Sequence, residues 1–128
     1  MTGCAFSDFI TEFQRRLDAA EPIGAMAVER ARLISPGSVL EGRAAIDAHV
    51  TARRPDRRVR HGWSGLRIRR EGDRAVTLSY LATAYHGDDA GRLTMITVGD
   101  VTDMLIRDDD GAWCLVESRF DRIFKQEY

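Results

Sequence analysis

Three residues in this sequence suit proton transfer near neutral pH, and each stands among apolar neighbours. His61 shares strand parity with Val59 and Trp63. An imidazole titrates close to pH 7, so it can take a proton and give it back. Asp103 shares parity with Val101 and Leu105. A carboxylate aimed into apolar space is either paired, and structural, or raised in pKa, and then a general acid or base. Tyr80 lies on the face of Val76 and Leu78, where its hydroxyl can polarise a carbonyl. These are the candidate catalytic residues. Trp63, Leu78 and Arg119 are the candidate ligand contacts, with Trp63 as the floor of a pocket for a flat or apolar molecule. Each has a plainer alternative. His61 can tie the sheet to a helix, Asp103 can pair with Arg119 or Arg60, and Tyr80 can be core with a satisfied hydroxyl.

Other chemistries find no support. His49, His61 and His86 lack metal-ligand spacing, and no cysteine pair accompanies them. There is no glycine-rich phosphate loop and no G-x-S-x-G elbow. No metal and no cofactor are expected. Glu117, Arg119 and Asp121 line up on one face of the last strand, where an exposed, charge-laced strand end is the plain reading. His86 reads as a solvated histidine near a loop, and His49 as an interior or dimer-contact histidine. Arginines crowd residues 53–60 as Arg53, Arg54, Arg57, Arg58 and Arg60. They could meet an acidic ligand or a phosphate. With no interleaved aromatic residue they argue against nucleic acid, and a solvated loop is the expected role.

The elements that must position these residues follow from periodicity. Phe6, Phe9, Ile10, Phe13 and Leu17 fall on one face of a first helix. Pro22 opens a second, expected over Ile23 to Leu33. Ser35-Pro36-Gly37-Ser38 reads as a turn, and a third helix spans Arg43 to Arg53, stopped by Pro55. Strands follow at Val59 to Arg70, Ala75 to His86, Leu93 to Arg107 and Trp113 to Phe124, with a bulge expected near Gly62 and Gly65. Helices first and an antiparallel meander second is the α+β pattern. The third of these strands is apolar on both parities, so both sheet faces need cover. Helices cover one face; a second copy of the chain is the simplest cover for the other.

The chain has 128 residues, net charge −1, 44% hydrophobic and 30% charged residues. This is the profile of one globular domain over residues 1–128, not of a disordered or membrane-spanning chain. The charge recruits neither nucleic acid nor an anionic membrane. Cys4 and Cys114 do not make a disulfide framework, and no leader segment is evident, so a reduced, cytoplasmic protein is expected.

Several weak motifs in order carry a resemblance. They are the Leu17-Asp18 helix end, Leu40-Glu41-Gly42-Arg43-Ala44-Ala45-Ile46, Arg60-His61, Asp103-x-Leu105-x-Arg107, Asp110-Gly111-x-Trp113 and Ser118-Arg119. Together they resemble the SnoaL-like (polyketide-cyclase-like) branch of the nuclear-transport-factor-2-like superfamily. The resemblance implies a cone of three helices over a curved antiparallel sheet, with an internal pocket and a homodimer through the outer face. It implies a small-molecule ligand but no single activity. Dehydratases, isomerases, cyclases and epoxide hydrolases share this fold with proteins that only bind or assemble. On the enzymatic side it implies cofactor-free proton transfer, with His61 as base, Asp103 assisting it and Tyr80 stabilising an oxyanion. Water-activating epoxide hydrolysis through Arg119, Asp121 and Asp103 is a further option.

Overall fold

The apolar stripe of the first helix does what its spacing requires. In helix α1 (Thr2–Ala19), Phe6, Ile10 and Phe13 are buried, and Leu17 is half-buried at the C-terminal end. The computed structural model describes residues 2–54 and 56–128, with side chains from Ala5 onward. Phe6 meets Trp113 edge to face at 5.1 Å between ring centres, fixing the start of α1 to the sheet.

The expected second helix over Ile23 to Leu33 does not form. A single 3-10 turn (Gly24–Met26) leads into strand β1 (Ala27–Ser35). Strand β2 (Ser38–Glu41) returns along it through the Pro36-Gly37 turn. Burial along β1 recurs after four residues, at Ala27 and Ala31, rather than at strand alternation. Its cause is a register shift between Ala27 and Arg32 where β1 pairs with the last strand. β1 advances five positions there against two on its partner, which breaks the two-residue alternation.

The third expected helix is present as α2 (Arg43–Thr51), burying Ile46 and Val50. Pro55, its expected stop, lies outside the described residues. Four long strands follow: β3 (Arg57–Glu71), β4 (Ala75–Asp88), β5 (Leu93–Arg107) and β6 (Trp113–Glu127). With β1 and β2 they make one six-stranded sheet in the order β2-β1-β6-β5-β4-β3. The class is α+β as expected, with two α-helices rather than three. Bulges at Ser64/Arg67, Val98/Gly99 and Met104/Leu105 bend the long strands. At the first of these Gly65 takes φ +70°, a conformation L side chains avoid.

The helices cover the face bearing Val76, Leu78, Tyr80, Val101 and Leu105, which together form the core. The other face leaves Leu81, Tyr85, Met104 and Phe124 exposed. No helix is long and apolar enough to cross a membrane among the described residues.

Candidate active site

His61 stands on β3 where that strand passes the C-terminal end of α1. Asp18, in the last turn of α1, meets it twice. The His61 ring Nδ1 is 2.6 Å from Asp18 Oδ1, and the His61 backbone N–H donates to both carboxylate oxygens at 3.1 and 3.2 Å. An ionised carboxylate can only accept, so in the neutral imidazole this contact favours the tautomer with its proton on Nδ1 and the lone pair on Nε2. Both side chains remain partly accessible, at 22% and 15%. Of the two, His61 lines the adjacent cleft.

The end of α1 is held with unusual care. Ala20, at φ 55°, ends the helix in the left-handed region, and the Glu21 N–H bonds back to the Arg16 carbonyl at 2.9 Å. Arg53, just past α2, donates to the carbonyl of Leu17 at 2.7 Å and to that of Asp18. A carboxylate at a helix C-terminus faces the negative end of the dipole. The Arg53 guanidinium offsets that repulsion and fixes the turn that aims Asp18 at His61.

A cleft of about 860 Å³ opens beside His61. Leu17, Val50, Val59 and Met95 give it apolar wall; His49 and His86 add two further imidazoles. His86 lies on β4 opposite Val59, diagonally across from His61. Burial, and to a lesser degree the neighbouring His61 and Arg57, lower its pKa below the usual histidine value. His86 was expected to be solvated; it is half-buried in the cleft wall. His49 is neither interior nor packed away: it is exposed at the cleft edge.

The other candidates lie elsewhere. Asp103 is 1% exposed. It accepts from Tyr80 Oη and from Ser118 Oγ, both at 2.5 Å, and not from the arginine partner expected for it. Burial lifts its carboxyl to about 6, against the pull of these two hydrogen bonds. Burial and the neighbouring Asp103 push the Tyr80 hydroxyl upward as well. Trp63 packs edge to face on Tyr80, with ring centres 5.9 Å apart, and its Nε1–H donates to Thr11 Oγ1 at 3.3 Å. Leu78 is fully buried, and Arg119 is exposed beside Thr102 on the outer face. None of these five lines the His61 cleft. Arg119 and Asp103 point to opposite faces of the sheet, so they do not converge as a water-activating network.

Asp18 is the residue that reasoning from sequence passed over. The signal was a carboxylate placed directly after Leu17, the last apolar position of α1. That position is electrostatically poor for an acid, and a locally poor choice points to a task elsewhere in the fold.

Residues 13–119 match the family model described as the SnoaL-like domain. No curated protein matches the sequence. Solved structures are similar in fold. A candidate scytalone dehydratase from Novosphingobium aromaticivorans aligns with TM-score 0.85 at 18% identity, over 99% of this chain and 87% of that one. A hexachlorocyclohexane dehydrochlorinase, LinA type 2, aligns with TM-score 0.84 at 14% identity, over 99% and 88%. ActVI-ORFA from Streptomyces coelicolor aligns with TM-score 0.80 at 17% identity, over 94% and 96%. The family match covers most of the chain and includes both Asp18 and His61: this chain belongs to the SnoaL-like domain family.

Proposed function

We propose that this chain binds a small organic molecule in the cleft beside His61 and catalyses cofactor-free proton transfer, of the dehydration, isomerisation or cyclisation type. The observation that carries the reading is the Asp18–His61 contact of 2.6 Å, which leaves His61 Nε2 as a free base at the cleft wall. In a dehydration, Nε2 takes a proton from carbon. The C–H electrons form the new double bond and the adjacent C–O bond breaks. The imidazolium, steadied by Asp18, returns its proton to the departing oxygen and water leaves. His86, diagonal to His61 on the same cleft wall, would hydrogen-bond that oxygen. Two fold relatives named for eliminations, the dehydratase and the dehydrochlorinase, are consistent with this chemistry. In this reading Asp103, Tyr80, Trp63 and Leu78 shape and stiffen the core behind the cleft rather than touch substrate.

The exposed apolar rows of the outer sheet face go to a second copy of the chain. Thr83, Val98 and Phe124 form one row, and Tyr85, Ile96 and Gln126 the next. Arg119, Asp100 and Asp121 beside them offer both signs of charge, which a two-fold interface can pair with itself.

The base is testable without the natural substrate. 5-Nitrobenzisoxazole opens to a coloured phenolate when a base removes its ring proton. The wild-type protein should open it faster than matched buffer. His61→Ala should lower that rate at least about 100-fold, and Asp18→Asn about tenfold. Asp103→Asn, if folded, should leave it near wild type. A rate independent of His61 contradicts the proposal.

A further inference from the structure

The rim of the His61 cleft is more basic than its own carboxylates balance. Arg53, Arg54, Arg57 and Arg58 line it, together with Asp56, Asp88 and Glu127. Each of the three carboxylates is already engaged. Asp56 pairs with Arg54 at 2.8 Å. Asp88 holds Arg92 at 3.0 Å and accepts from the N–H groups of Ala90 and Arg92. Glu127 pairs with Lys125 at 2.7 Å. Of the remaining arginines, Arg53 caps α1, and Arg58 donates to the Asp89 carbonyl at 3.3 Å. Arg57 is left. Its guanidinium has no hydrogen bond or ion pair among the described residues, on either side of neighbours that do.

Position gives this cation a purpose. Arg57 shares a strand face with Val59 and His61, all on β3. His61 lies four positions further along the strand, about 13 Å at ~3.3 Å per residue. The Arg57 charge is felt inside the cleft, where it helps lower the His86 pKa. A guanidinium is a natural partner for a planar carboxylate.

We propose that the cleft takes an elongated organic carboxylate, its acid group held by Arg57 at the rim and its reacting carbon at His61 Nε2. This rests on the reading of the cleft as the binding site and names its substrate class. The arginine side chain covers part of the span, and a molecule of about two fused rings covers the rest. An uncharged molecule of the same shape leaves Arg57 without a partner and binds less well.

The full-length protein can be tested with 2-naphthoate and its uncharged analogue 2-naphthamide. Calorimetry gives the affinities, and the His61 ring signals in NMR report the site. Naphthoate should bind about tenfold more tightly than naphthamide and shift His61. Arg57→Gln should remove most of that difference while leaving naphthamide unchanged. Arg60→Gln, whose position pairs with Tyr85 on the outer face, should change neither. Added salt should weaken naphthoate alone. Equal affinities, or a preference that survives Arg57→Gln, overturn the anion proposal and leave the cleft standing. Failure of both probes to shift His61 overturns the binding-site reading with it.

Discussion

Among single residues, the carboxylates of Asp18 and Asp103 divide the labour. Asp18 is reachable and spends its oxygens on His61; Asp103 is sealed and bonded to two hydroxyls. That Asp103 sits in apolar surroundings was legible from strand parity. That it is satisfied by Tyr80 and Ser118 was not, because those contacts depend on cross-strand register. Ser118 stands opposite Asp103, and Tyr80 lies diagonal to it. The raised Asp103 carboxyl has a consequence for stability. The folded state keeps this proton up to about pH 6, whereas the unfolded chain loses it near the ordinary carboxylate value. The group's contribution is therefore full below about pH 4 and is lost as pH rises toward about 6. Asp103→Asn has no such proton. The melting temperature of wild type minus that of Asp103→Asn should fall between these pH values and then level off. A difference that does not change with pH contradicts the assignment. Comparing the pair cancels the opposite trend from Glu12, Glu21 and Asp88, whose cations and amides hold them low.

Elements explain which parts of the fold the sequence revealed. α1, α2 and the four long strands announced themselves through plain periodicity: 3.6 residues in one half, two in the other. β1 did not. A register shift gave it a four-residue burial spacing, and its partner β6 lies some 85 residues away in sequence, as in the Arg32–Glu117 pair. Local pattern cannot see such a partner. The same limit hid the site. His61 was legible as a candidate, but its partner depends on how the end of α1 meets β3. That meeting is set by the Ala20 helix end and by Arg53, a member of the arginine run first read as a solvated loop. The run is better seen as three pieces. Arg53 anchors α1, Arg54 and Arg58 are tied locally, and Arg57 stands open at the cleft.

The whole molecule presents two faces with different tasks. The inner face carries the core and, at the end where α1, α2 and the strand ends meet, the cleft. The outer face exposes Phe124 at 67%, Tyr85 at 48% and Leu81 at 39%. The two-sided apolar pattern of β5 foretold this face, since Ile96, Val98, Met104 and Ile106 point away from the core. The homodimer proposed for it predicts that, at micromolar concentration, wild type sediments at twice the 14.4 kDa chain mass. The double change Leu81→Asp and Phe124→Asp should sediment as a folded monomer. A monomeric wild type contradicts it.

The proposed chemistry depends first on one nitrogen. Asp18 must hold the proton of His61 on Nδ1 so that Nε2 faces the cleft as a base. Nitrogen-15 NMR of the histidine rings, at a pH where His61 is neutral, reads this directly. The structure predicts a protonated Nδ1 and an unprotonated Nε2 in the wild type, with that preference lost in Asp18→Asn. A wild-type His61 that carries its proton on Nε2 would contradict the account, because the group facing the cleft would then be a donor with no lone pair to offer.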